Sequence, residues 1–305
     1  MSASVVSARS LTARQASLIA AIASFTGSLL LGSAVARTFG EHLIRLDLLP
    51  HGTNPFEACI AAALAALGWA TAAWRLGLPG SYTHALLGGW LGAFFALGGA
   101  SVVQWRNAGF VMVGVMLTPL IGLGIAMGSI RLLYWMVDDF SRKTLPLFRI
   151  TEIFMFGALS LAHGANAAQK SMALLVVAGF SISATGVPDN FSLPLWIRLV
   201  CSAAFAFGVL LGFTRTLKKM GFEIFRVDTL HSFTALAVSG SLVFVSTVMG
   251  LPLSPGQINS SSLLGAGAGH NPRKVRWGVV GEMMMNWFLT FPAAAALAWI
   301  LVKVI

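Results

Sequence analysis

Gly77-Leu78-Pro79-Gly80-Ser81-Tyr82-Thr83-His84, running on to Leu91-Gly92-Ala93, is written a second time as Gly250-Leu251-Pro252-Leu253-Ser254-Pro255-Gly256-Gln257, running on to Leu264-Gly265-Ala266. Every matched Gly, Leu, Pro, Ser and Ala keeps one offset, 250 − 77 = 264 − 91 = 173. Pro119 and Pro292 extend the register downstream without a gap. A duplication at fixed spacing is an architectural repeat. In an apolar chain, matching segments interrupted by Gly and Pro are the places where secondary transporters build their substrate site.

The chain is apolar enough for that reading. Of its residues, 57% are hydrophobic and 10% are formally charged, against roughly a quarter charged in soluble domains. Mean hydropathy is +0.82. Gln15–Ala36 and Asn107–Ile130 are uncharged and long enough to cross a bilayer core, which takes about 20 apolar residues. Leu76–Trp105 is uncharged too, but Pro79 and Gly80, Gly88, Gly89, Gly92, Gly98 and Gly99 break it, so it reads as a broken or re-entrant hairpin that must be buried in protein or line a wet cavity. The expected fold is all-α: a polytopic transmembrane helical bundle with inverted internal repeats and two such hairpins.

A net charge of +10 and a pI of 10.6 raise the question of nucleic acid. The basic residues sit instead in short loops between apolar runs, which is a topology signal. Cys59 and Cys201 lie inside apolar runs and read as small packing residues rather than a disulfide or a metal site. Arg9 and Arg14 precede the first apolar run, but that run has the length of a span rather than of a cleavable signal peptide.

Helices are expected at about 15–36, 56–74, 108–135, 150–180 (interrupted), 194–213, 229–249 and 277–303, with hairpins at about 79–99 and 252–269. Residues 1–136 form a first repeat and residues 150–305 a second. Val137–Arg149, the most polar stretch, forms the linker between them. Ser181–Leu193 has no Lys or Arg, whereas Arg215–Arg226 carries Arg215, Lys218, Lys219 and Arg226. The positive-inside rule then puts the basic loop and the linker on the cytoplasmic side. Trp69, Trp74, Trp105, Trp277 and Trp299, toward helix ends, read as interface markers.

The polar centre of the second half is Ala162-His163-Gly164-Ala165-Asn166-Ala167-Ala168-Gln169-Lys170-Ser171-Met172. Polar side chains at membrane depth are costly and face a cavity or a partner. A Gly-Ala-Asn break here would free backbone N–H groups at a half-helix start, where the dipole favours an anion. Ser81, Thr83 and Ser254, beside the Pro breaks, offer hydroxyls to an oxyanion. They equally satisfy backbone groups at a helix start. Asn166 and Gln169 offer amides. His84 and His163 titrate near neutrality in the ordinary case, although a lone His in apolar surroundings is more often a packing residue. Lys170 must face the cavity, pair with an acid or snorkel. Glu152, Asp228 and Glu282 are the acids nearest apolar segments; Glu282 is the candidate replacement counter-charge, although a helix-end acid near Arg276 is the more ordinary reading. Neither His-Glu-x-x-His nor Gly-x-Ser-x-Gly occurs, so an intramembrane enzyme is the weakest reading.

Ala162–Met172 resembles the Ala-His-Gly-Ala-Asn-Asp-Ala-Gln-Lys-Thr-Met motif of the inorganic phosphate transporter (PiT) family. Gly77–His84 is similar to that family's Gly-Leu-Pro-Val-Ser-Thr-Thr-His entrance, with Gly250–Gln257 as its second copy. Leu11-Thr12-Ala13-Arg14-Gln15-Ala16 resembles the family's Leu-Thr-Pro-Arg-Gln-Ala. The resemblance implies an inverted-repeat carrier for phosphate, coupled to Na⁺ or H⁺ by symport, with its sites where the repeats meet. The implied substrate-binding set is Ser81, Thr83, Gly164, Asn166, Gln169, Ser171, Ser254 and Gln257. His84, His163, Lys170 and Glu282 are candidates for an electrostatic or proton role. No resident cofactor and no metal ligand is assigned. The family's cation-binding Asp is Ala167 here, so coupling is expected to be weakened, altered or moved. Tyr82 and Pro255-Gly256-Gln257 also depart from the pattern. The first Gly-Ala-Asn-Asp copy is expected just upstream of Leu11, so Met1 is expected to be an internal methionine of a longer protein or the mark of a truncation. Expected partners are phosphate or another tetrahedral oxyanion such as sulfate, the lipid bilayer and a second copy of the chain, with no nucleic acid. Expected localisation is the bacterial inner membrane. The alternative within the family is a degenerate, non-transporting member.

Overall fold

A computed structural model of the chain describes residues 2–76, 80–136, 145–183, 193–212 and 227–305. These form helices α1 (Ser2–Ser7), α2 (Ala13–Leu30), α3 (Ala34–Arg37), α4 (Pro55–Arg75), α5 (Tyr82–Gly98), α6 (Trp105–Met136), α7 (Leu145–Ser183), α8 (Leu195–Leu211), α9 (Thr229–Val248), α10 (Pro255–His270) and α11 (Trp277–Val304), with no named strand among the described residues. By length and composition α4, α6, α9 and α11 can each cross a membrane, and α2 with the segment running on to His42 makes a fifth, bent span. Gly77–Pro79, most of the linker and the two loops used for orientation lie outside the described residues.

Local chemistry starts these helices. Thr12 and Gln15 of the Leu-Thr-Ala-Arg-Gln stretch form a reciprocal capping box on α2. Asn54 caps α4 ahead of Pro55, Ser81 caps α5 through the His84 N–H, and Asp228 caps α9.

The sequence duplication recurs in the elements. Helices α4, α5 and α6 are followed, in the same order and spacing, by α9, α10 and α11. Short 3₁₀ turns at Ala100–Val102 and Pro272–Lys274 sit at matching points, and Pro119 and Pro292 lie inside α6 and α11. The packing is exchanged between the copies: α5 lies against α11, and α10 lies against α6.

Glycine makes both contacts close. A Cβ on Gly88 or Gly92 of α5 would lie 2.3 Å from the Phe291 or Ala295 carbonyl oxygen of α11. A Cβ on Gly265 of α10 would lie 2.2 Å from the Leu123 carbonyl oxygen of α6. Small residues let helix backbones touch where the lipid supplies no hydrophobic drive for association.

Two expectations are corrected. Helix α7 runs unbroken through Gly164-Ala165-Asn166. Ala, Gln and Lys are strong helix formers, and a single Gly costs only about 1 kcal/mol. Gly164 is a notch instead: its Cβ would lie 2.1 Å from the Ser24 carbonyl oxygen, and a Cβ on Gly27 of α2 would lie 2.0 Å from that of Leu161. The run Gln15–Ala36, expected as one span, is the one that breaks, with a 65° bend between Leu30 and Ala34. Gly32 at the bend has φ +69°, a conformation that costs other residues dearly.

Gly92→Ala and Gly265→Ala are each expected to destabilise the protein by about 1–3 kcal/mol. Gly124→Ala, with open space around its Cβ, should be neutral or gain up to about 1 kcal/mol of helix propensity. Thermal unfolding in detergent distinguishes the two outcomes.

Candidate functional site

The two copies of the Gly-Leu-Pro stretch touch, and they do so through equivalent residues. The Ser81 and Ser254 hydroxyls are 2.9 Å apart, and Gln257 Nε2 lies 2.9 Å from His84 Nδ1. Both pairs join residues 173 apart. Ser81 and Ser254 are the N-cap residues of α5 and α10, so the positive ends of two helix dipoles meet at this point.

Lys170 reaches the same place from α7. Its ammonium donates to Thr83 Oγ1 at 2.8 Å and to the Leu253 carbonyl at 2.7 Å, while the Thr83 hydroxyl donates to that carbonyl at 3.1 Å. The Lys170 side chain is fully buried. Among the described residues no carboxylate pairs with it. Glu152 is also buried, but it accepts from Ser10 near the other end of α7, about 27 Å along the helix from Lys170. Glu282 is exposed on α11, in the manner of a helix-end acid near Arg276.

The amides of the α7 motif mend broken backbone. Gln169 Oε1 accepts from the Val35 and Ala36 N–H groups, and its Nε2 donates to the Leu31 carbonyl. One side chain thereby satisfies both sides of the α2–α3 break, which would otherwise bury orphan groups. Asn166 Nδ2 donates to Thr247 Oγ1 at 3.1 Å and to the Leu251 carbonyl at 3.0 Å, tying α7 to the end of α9. Ser171 shares a 3.0 Å hydrogen bond with the Tyr82 hydroxyl, which gives the Tyr that departs from the family pattern a partner.

His163 faces elsewhere. Its ring packs edge-on against Phe205 of α8 at 5.4 Å, and its Nδ1 is buried without a hydrogen-bond partner. Trp69, read as an interface marker, is partly buried and donates its indole N–H to Thr290. Trp74, Trp105, Trp277 and Trp299 are exposed, and both cysteines are buried and free.

The polar atoms left over define what the site can accept. Gln257 Nε2 donates to His84 Nδ1, so the His84 ring proton sits on Nε2. His84 Nε2, Asn166 Oδ1 and Gln257 Oε1 are buried and have no hydrogen-bond partner in the protein. A donor and two acceptors are thus left uncommitted near the paired hydroxyls and Lys170 at the helix N-termini. A cavity of about 540 Å³ reaches His84 and Gln257 from one side. Met112, Met116 and Leu123 of α6 and Met283 and Trp287 of α11 wall it, so its surface is mostly apolar. The missed signal was in α2: Gly32-Ser33 next to an apolar run marks the real break, and it explains why α7 carries Gln169.

The model of the Phosphate transporter family matches residues 1–298. The chain is 32% identical over 301 residues to a probable low-affinity inorganic phosphate transporter of Rhizobium meliloti, covering 97% of this chain and 87% of the relative. It is 30% identical over 297 residues to one of Bacillus subtilis, with the same coverage. A solved structure titled the sodium-dependent phosphate transporter superposes with a TM-score of 0.88 at 20% identity, covering 99% of this chain and 93% of the other, which establishes the shared fold. A multi-pass protein of the bacterial inner membrane by its apolar helices and its bacterial relatives, the chain belongs to the phosphate transporter family.

Proposed function

We propose that this chain carries inorganic phosphate across the membrane by alternating access, binding it between the N-termini of α5 and α10 beside Lys170. The observation that carries this reading is the buried Lys170 side chain, set against two helix N-termini with no carboxylate paired to it among the described residues. An anion bound there would gain from both helix dipoles and would hold the Lys170 amine in its protonated form. Residues 1–136 and 150–305 are read as two inverted halves joined by 137–149, with the site on their shared axis. The short α5 and α10, of 17 and 16 residues, serve as the re-entrant arms.

Phosphate is favoured over sulfate by the unpartnered acceptors. Asn166 Oδ1 and Gln257 Oε1 need a hydrogen from the ligand, and only a protonated oxyanion brings one. Sulfate carries none at neutral pH, so it would leave two buried acceptors unpaired. The same feature suits coupling to protons, since a proton can travel on the phosphate itself. Sodium coupling is expected to be weak, because Ala167 is buried where the family motif has Asp, and neutral oxygens hold a desolvated cation poorly.

In proteoliposomes, Lys170→Met should raise the KM for phosphate about 10- to 100-fold, the value of a hydrogen bond to a charged group. An unchanged KM removes Lys170 from the site. Radiolabelled phosphate uptake should resist excess sulfate and follow a proton gradient, and equal competition by sulfate would refute the role given to the acceptors. Ala167→Asp should increase sodium dependence; strong sodium-driven uptake that this change does not improve contradicts the account of coupling. Phosphate binding without uptake under either gradient would mark a non-transporting family member.

A further inference from the structure

We propose that Asp228, His231 and His270 form a binding site for a borderline divalent metal ion such as Zn²⁺, at the end of the α9–α10 pair remote from the phosphate site. One potential ligand atom from each residue lies within 4.8 Å of the others. His231, in the first turn of α9, and His270, at the end of α10, face each other with Nε2 and Nδ1 3.0 Å apart, their rings nearly parallel at a centroid distance of 5.0 Å. Two nitrogens on a tetrahedral zinc stand about 3.3 Å apart, given Zn–N bonds of about 2.0–2.1 Å. The pair therefore needs to open by only a few tenths of an ångström to take the ion between them.

Asp228 supplies the outer support. Its Oδ1 lies 2.8 Å from His231 Nδ1, and a small rotation of the ring would aim the Nδ1–H at it, the carboxylate–imidazole–metal arrangement that fixes the ring and strengthens Nε2 as a ligand. The same oxygen accepts the Leu230 and His231 N–H groups, so the carboxylate is itself held in place. The Tyr134 hydroxyl from the end of α6 stands 3.3 Å from His270 Nδ1 and is positioned to hydrogen-bond one of the two waters that would complete a tetrahedral set. Imidazole and carboxylate donors suit Zn²⁺ better than Mg²⁺ or Ca²⁺, which prefer oxygen. His231 is buried while Asp228 and His270 are exposed, giving the ion a way in. The length of α10 puts this cluster about 24 Å from Ser254. A bound ion would clamp the start of α9 to the end of α10.

The test uses full-length, tag-free protein in detergent. Zn²⁺ is titrated against a chromophoric chelator, and Co²⁺ is followed by its visible absorption. We expect one tight site per chain, an increase in Tm on adding Zn²⁺ to the unaltered protein, and a tetrahedral cobalt spectrum. His231→Gln and His270→Gln should each weaken affinity more than about 100-fold, and Asp228→Asn about 10- to 100-fold, the usual effect of losing an outer partner. His51→Gln, at an exposed loop histidine, should bind as the unaltered protein does. The proposal is overturned if the unaltered protein binds zinc no tighter than the His231→Gln/His270→Gln double variant, or if zinc leaves its Tm unmoved.

Discussion

Two helix N-termini and the Lys170 side chain share a single buried spot, and the architecture is arranged to hold them there. No negative charge balances that spot among the described residues. Lys170 is stabilised locally by Thr83 and the Leu253 carbonyl, both dipoles rather than charges. Holding the group takes the exchange of helices between the two sequence copies, the glycine-mediated contacts of α5 with α11 and of α10 with α6, and the amide of Gln169 across the α2–α3 break. Close helix contacts supply the stability, and Lys170 is left among dipoles rather than opposite a charge.

The sequence made the frame readable because a repeat is a statement about geometry. An offset of 173 placed Ser81 opposite Ser254 and His84 opposite Gln257 before any coordinates, and these pairs are in contact. The spans were legible from apolar runs bounded by charge; the Thr12–Gln15 capping box that starts α2 is a finding of the structure. The reading failed where one residue type serves two physical ends. A glycine beside an asparagine looked like a helix break, but Gly164 admits the backbone of α2 while the surrounding Ala, Gln and Lys keep α7 helical. The glycine that does break a helix, Gly32, sat in a run uniform enough to pass as a span.

Within the site, burial and direction were the unreadable quantities. His84 and His163 look alike in sequence, yet one faces Gln257 and the other packs on Phe205. Gln169 looked like a ligand-binding amide and is engaged by backbone groups at both its oxygen and its nitrogen, whereas the amides of Asn166 and Gln257 each retain a buried acceptor. Side-chain type gives the chemistry available. Only the neighbours decide how much of it remains uncommitted.

The exchanged packing has a bearing on biogenesis. Helix α5 leaves the ribosome long before α11, which closes over its notches at Gly88 and Gly92, has been made. During that interval those grooves can be covered only by lipid or by whatever else the insertion machinery offers. Assembly is thus committed late, by the C-terminal helix, and a nascent chain halted before residue 277 would be inserted yet unable to lock its first arm in place.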